Sequence, residues 1–368
     1  MSNYGETVLE IDLKALAHNY AYLRSRLLPE TKFLAVVKAF AYGSAVEKIA
    51  LKLQDLGVDY FAVAYVNEGV TLRDLGITKP ILVLHPQPVN FKTIIARCLE
   101  PSIYTPNILK QFLEIAKAEN QKDYPVHLKF NTGLNRLGFS ENDIDFIAAT
   151  LHGRKELKVS SLFSHLAASE DLKEEKFTIC QIERFKGITL KLHSKLDYAP
   201  FQHLLNTSGI LNYPQAQFHM VRSGIGLYGY GNDARVDSEL KPVASLKTII
   251  SQIHQLAPKE SVGYNRAFVS ETSRTIATLP LGHADGIGRQ YGNGKTYVQI
   301  KGEKAFIVGN VCMDMIMIDI TDIDCKEGDE VVVFGPELSA QHFAEKANTI
   351  SYELLTAIST RVKRVILN

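Results

Sequence analysis

Apolar runs at 33–37, 60–64, 80–85, 125–130, 159–163 and 218–221 alternate with amphipathic segments near 13–26, 45–55, 91–98, 106–118 and 176–195. Runs of about four to eight residues rich in Val, Ile and Leu suit strands covered on both faces, and the spacing between them suits helices. Repeated strand–helix alternation means βαβ units on a parallel sheet, and eight such units close a (β/α)8 barrel. Local signals agree: Ser140-x-x-Asp143 reads as a capping signal, and Thr105-Pro106 places proline at a first helical position. After residue 240 the texture changes to closely spaced β-rich runs (245–254, 274–279, 296–301, 304–308, 315–320, 330–334) divided by Gly and Asp turns, with a helix-like segment at 349–360. The predicted fold is α/β: an N-terminal (β/α)8 TIM-type barrel over 1–240, then a mainly β C-terminal domain over 241–368. Roughly the first ten residues are expected to pack with the second domain, and with no low-complexity linker between the halves a site is expected where they meet.

The most informative stretch is Phe33-Leu34-Ala35-Val36-Val37-Lys38-Ala39-Phe40-Ala41-Tyr42-Gly43, a buried strand that delivers one lysine to its C-terminal end. Functional groups of parallel barrels collect there. A desolvated ammonium loses its proton more easily, so Lys38 is a candidate nucleophile toward a carbonyl or toward pyridoxal phosphate (PLP). On this run alone it also reads as a strand-end lysine snorkelling to water. A second strand end carries Lys129 and Arg136 in a polar turn, and a guanidinium there suits a carboxylate. A third carries His165, which taken alone reads more readily as a structural histidine than as a catalyst. Met220–Gly229 contains a formal G-x-G-x-x-G (Gly224, Gly226, Gly229). It lies too late in the alternating region for a dinucleotide fold and reads better as a late barrel turn whose Gly224 and Ile225 amides hold a phosphate. Arg222, just before it, then points toward the ligand's ring.

The 368 residues carry 41 Lys+Arg against 40 Asp+Glu, a net charge of +1, so no basic surface advertises nucleic acid. A small molecule is the expected partner. No apolar run is long enough to span a membrane and the start lacks a signal-peptide pattern, which predicts a cytoplasmic protein. Cys98, Cys180, Cys312 and Cys325 are widely spaced with no C-x-x-C, and no H-E-x-x-H occurs, so neither disulfides nor a metal site is expected.

Taken together, AVVKA-x-AYG at Ala35–Gly43, K-x-x-TG-x-x-R at Lys129–Arg136, FSHLA at Phe163–Ala167, Asn206-Thr207, VR-x-GI-x-LYG at Val221–Gly229, ADG at Ala284–Gly286 and VCMDM at Val311–Met315 resemble the alanine racemase family over essentially the whole chain. The resemblance implies PLP as cofactor, alanine as substrate and a homodimer with shared active sites. It implies Lys38 as the residue that binds PLP covalently and acts as one acid–base, with Tyr264 supplying the other from the partner subunit. Tyr42, Asn206, Thr207, Gly224 and Ile225 are implied to bind the cofactor, with Arg222 on the pyridine nitrogen and His165 and His203 in the network behind it. Arg136, Met313 and Asp314 are implied substrate contacts, and Lys129 is a candidate for carbamylation. Phe40 and Ser44 replace the family's usual Asn and His, Asn265 replaces Gly, and Thr360 is read as standing where a phosphate-contacting tyrosine is usual. Production of D-alanine for peptidoglycan follows as the expected role. A non-catalytic PLP-handling protein, a racemase of broader specificity, for instance toward serine, and an NAD-dependent dehydrogenase are the alternatives.

Overall fold

The computed structural model describes residues 4–231 and 237–368. The chain opens with β1 (Val8–Asp12), and Asp12 then caps the helix Leu13–Arg24. Its Oδ1 accepts from the amides of Lys14 (2.7 Å) and Ala15 (2.9 Å), satisfying two of the donors that a helix start leaves unpaired. Eight parallel strands follow: β2 (Lys32–Val36), β3 (Tyr60–Val63), β4 (Ile81–Val83), β5 (Glu100–Ile103), β6 (Tyr124–Lys129), β7 (Leu157–Phe163), β8 (Phe201–His203) and β9 (Met220–Ser223). They form a closed barrel, sealed where Lys32–Ala35 of β2 run in register with Met220–Ser223 of β9. Phe33, Leu34, Ala35, Phe61, Leu82 and Leu128 are fully buried, as strands flanked on both faces require.

Six of these strands coincide with the apolar runs read from sequence. β5 and β8 do not. β5 begins with Glu100 and contains Pro101, while β8 is only Phe201-Gln202-His203, so neither shows an apolar run. The predicted helix starts hold: Thr105 Oγ1 accepts from the Ile108 amide at 3.2 Å, and the Asp143 carboxylate accepts from the Ser140 amide at 2.7 Å.

After β9 the chain builds a nine-stranded sheet. Its order is Gln252–Leu256, Arg274–Leu279, Ile316–Asp319, Glu303–Val308, Tyr297–Ile300, Glu330–Phe334, Ala244–Ile249, β1 and Lys363–Leu367. β1 is thus an interior strand here, antiparallel to Ala244–Ile249 and parallel to Lys363–Leu367. The helix-like segment at 349–360 contains the helix Ser351–Ala357, and a second short helix, Ala340–Glu345, precedes it unpredicted. Among the described residues no helix is long and apolar enough to cross a membrane.

Because Asp12 ends a strand of one sheet and starts the helix leading to the barrel, its cap should matter to the whole molecule. Asp12→Ala is expected to lower stability by about 1 kcal/mol, read as a lower urea midpoint at unchanged protein concentration.

Candidate active site

The barrel strand β2 ends at Val36, and Lys38 begins a tight turn beyond it. Ala39, Phe40, Ala41 and Tyr42 all have φ between 54° and 56°, a full left-handed turn that closes on Gly43 at φ 76°. Left-handed geometry costs about 1–2 kcal/mol for each residue with a Cβ, so the turn has to be over-determined by its surroundings. It is. The Glu68 carboxylate accepts from the Ala39 amide at 2.5 Å and, through its other oxygen, from the Ala64 and Tyr65 amides at 2.7 and 2.9 Å. Gly43 packs so closely on the Leu355 carbonyl that no Cβ would fit. The Arg364 guanidinium donates to the carbonyls of Gly43 (2.8 Å) and Ser44 (3.2 Å) while also holding those of Ile358 and Val362.

Lys38 thereby faces a cavity of ≈ 660 Å³ at the C-terminal end of the barrel strands. Tyr42, Lys129, Arg136, His165, Asn206, Thr207, Arg222, Gly224 and Ile225 line the same cavity. At one end, Tyr42 stacks on Tyr228 with centroids 4.6 Å apart, and its hydroxyl lies where a Cβ on Gly224 would be. Glycine is required at that position for steric reasons. The amides of Gly224 and Ile225 have no acceptor among the described residues, and Thr207 Oγ1 beside them bonds Ser223 Oγ at 2.9 Å. Asn206 sets this corner by accepting on Oδ1 from the Gly209 amide (3.0 Å) and Ser169 Oγ (2.8 Å). Amides, a hydroxyl and a phenol converging on one spot form an anion cradle.

At the other end, Arg222 is 5% exposed and fully engaged on its inner side. Nη1 meets His203 Nδ1 at 2.8 Å, and Nη2 meets His165 Nδ1 at 3.1 Å and the carbonyls of Ser164 and Leu204 at 2.8 and 3.0 Å. Burial pushes Arg222 down to about 9, which leaves it protonated at neutral pH. His165 and His203 are driven well below the ordinary histidine range, first by burial and then by the Arg222 charge, so both are neutral acceptors toward the guanidinium. Lys129 is pushed down to about 8 by burial and by the neighbouring charges of Arg136, Arg222 and Lys38. Lys38 is lowered in the same way, by burial and then by Arg136, against an opposing pull from Glu68.

Tyr264, Met313 and Asp314 are not part of this cavity. Tyr264 lies in the turn between the short strands Ser261–Val262 and Phe268–Val269 and is 75% exposed, and Met313 is 61% exposed. The two segments are neighbours, since Asn310 Nδ2 donates to the Tyr264 carbonyl at 3.1 Å. The Ala284 amide donates to the Met313 carbonyl at 2.8 Å, which fastens the ADG segment to the same loop. Asp285 is structural: it receives Arg361 Nε at 2.6 Å and Nη2 at 3.0 Å.

The expectation for position 360 is corrected. Thr360 borders a separate hollow with Phe40, Ser44 and Arg364, whereas Tyr352, from the helix Ser351–Ala357, lines the main cavity with its ring 6.0 Å from that of Tyr42. A tyrosine does line this cavity, on the first turn of the helix that precedes position 360. Glu68 was also not anticipated, because its role lies in backbone contacts that only the left-handed turn creates.

The "Alanine racemase, N-terminal domain" family model matches residues 11–232, and the "Alanine racemase, C-terminal domain" model matches residues 243–366. The chain belongs to the alanine racemase family. Among its relatives in that family, the alanine racemase of Geobacter sp. (strain M21) is 36% identical, with 98% of each chain covered. The solved alanine racemase of Clostridium difficile 630 is 35% identical with a TM-score of 0.91, covering 98% of this chain and 96% of that one. The alanine racemase of Bartonella henselae, solved with covalently bound pyridoxal phosphate, is 28% identical with a TM-score of 0.91, covering 98% and 99%. Membership makes the chain an enzyme of the isomerase class.

A bond to a charged acceptor is worth about 1.5–3 kcal/mol, and Glu68 makes three. Glu68→Ala should therefore raise amide hydrogen exchange across residues 38–43 by at least roughly tenfold, while exchange in the far barrel strands stays unchanged.

Proposed function

We propose that the cavity binds PLP covalently through Lys38 and interconverts L- and D-alanine, with Lys38 and Tyr264 of the partner subunit as the two bases. One observation carries the reading: a desolvated lysine amine shares a cavity with an anion cradle at one end and a buried guanidinium at the other. The donor set fits the group. Tyr42, Thr207, Tyr352 and the Gly224 and Ile225 amides suit its phosphate, and Arg222 suits its ring nitrogen as a donor that stays protonated. When bound, PLP supplies an electron sink that acidifies the substrate's α-hydrogen.

The remaining chemistry belongs to the chain. Arg136, the Met313 backbone and Asp314 orient the substrate's carboxylate end, and Lys129, after carbamylation, holds Arg136 in place. A nucleophilic amine is needed for that modification, and Lys129 is lowered enough to be substantially unprotonated near pH 8. Racemisation requires a base on each face of the α-carbon: Lys38 takes the proton from the D-enantiomer and Tyr264 from the L-enantiomer. Tyr264 is solvent-exposed in one chain, on a loop joined to Met313 and Asp314, and so is free to enter a partner's cavity in a two-fold dimer. The D-alanine produced would serve peptidoglycan synthesis in the cytoplasm.

The purified protein should show an absorption band abolished by borohydride and should form D-alanine from L-alanine; Lys38→Ala should lose both. Tyr264→Ala should slow α-deuterium exchange from L-alanine by roughly 10²–10⁴-fold and affect D-alanine far less. Equal losses for the two enantiomers would overturn the division of labour. Tyr352→Phe should weaken PLP binding to the apo-protein by about tenfold or more, measured by titration.

A further inference from the structure

The hydrogen bonding behind Arg222 does not stop at His203. His203 Nε2 lies 2.9 Å from Ser161 Oγ, that oxygen lies 2.6 Å from His127 Nδ1, and His127 Nε2 lies 2.6 Å from a Glu100 carboxylate oxygen. Arg222, His203, Ser161, His127 and Glu100 come one each from β9, β8, β7, β6 and β5. The chain thus follows five consecutive strands around the inside of the barrel. His127, Ser161 and His203 are completely buried. Phe163 stacks on His203 with centroids 4.7 Å apart and planes 8° apart, and Phe201 packs against His127 at 6.1 Å.

Both ends of this chain have a single possible role. A guanidinium only donates, so His203 accepts on Nδ1 and carries its proton on Nε2. A carboxylate only accepts, so a neutral His127 donates from Nε2 and accepts on Nδ1. Ser161 then receives from His203 and gives to His127. Every donor points from Arg222 toward Glu100, and no member can be reversed alone without setting two N–H groups, or two lone pairs, against each other. Among the described residues none of the hydrogen-bond partners of Arg222 is a carboxylate, so Glu100 is the anionic end of the network around this buried cation.

We propose that Glu100, His127 and Ser161 are positioning residues for Arg222, fixing His203 as an acceptor so that the guanidinium holds one orientation toward the cavity. For catalysis this rests on the reading of Arg222 as the partner of the cofactor ring. The hydrogen-bond order itself does not.

The test is ¹⁵N-histidine NMR on apo- and PLP-loaded protein, together with steady-state kinetics of the loaded enzyme. In the wild type, His127 and His203 should both be neutral with the proton on Nε2, in either form. Glu100→Leu should convert His127 to a mixture of tautomers and lower kcat for alanine roughly tenfold, the scale of one unsatisfied buried polar group, with KM changed by less than about twofold. Glu100→Gln keeps an acceptor oxygen and should retain both tautomers and most of kcat. Ser161→Ala, a smaller change, should cut the chain in the middle and lower kcat similarly, and it carries the test if Glu100→Leu does not fold. A His203 proton on Nδ1 in the wild type, unchanged tautomers and kcat in Glu100→Leu, or a Gln variant no better than Leu would each overturn the proposal. Tautomers as derived in a protein that does not racemise alanine would leave the ordered chain standing and remove the functional reading instead.

Discussion

Lys38, Lys129, Arg136 and Arg222 share one cavity, and among the described residues no carboxylate lines it. Four like charges in a partly desolvated space repel one another, and the protein meets this in three ways. It lowers the two lysines toward neutrality, it buries Arg222 in a network ending at Glu100, and it keeps one end of the cavity as an anion cradle. An anionic ligand therefore relieves a strain already present. The same electrostatics make the lysines better nucleophiles than surface lysines, so recognition of an anion and activation of an amine have a common origin.

The second constraint is conformational. Lys38 could have continued the strand, but a left-handed turn swings it over the barrel mouth, and that turn is held from outside by Glu68, Leu355 and Arg364. Leu355 and Arg364 lie far along the chain, beside Tyr352 and the last strand. The later half of the sequence thus shapes the site even where it contributes no group to the reaction.

How much of this was legible in the sequence follows from range of interaction. Lys38, Arg222 and the Gly224 turn stand at the ends of apolar runs, so periodicity alone placed them at a barrel mouth. β5 and β8 carry no such run because Glu100, Pro101, Gln202 and His203 occupy them, and the polar chain that explains Glu100 and His203 is assembled only when five strands close. Thr360 was misplaced for a related reason: position along a motif gave a residue type, but which phenol reaches Tyr42 depends on how the helix Ser351–Ala357 packs. Tyr264, Met313 and Asp314 were readable as motif residues, yet within one chain they lie outside the cavity, since the completing surface is expected from another copy.

β1 sits between Ala244–Ile249 and Lys363–Leu367 in the nine-stranded sheet. On a ribosome it emerges before any strand it will pair with, and at about 5–20 residues per second it waits tens of seconds for them. During that interval its apolar Val8, Leu9 and Ile11 have no sheet to enter, while the barrel strands arrive in the order in which they pair. Vectorial synthesis therefore favours closing the barrel first and sealing the second sheet last, with the earliest strand as one of its final pieces. Any factor that shields nascent chains has its longest task at this short segment.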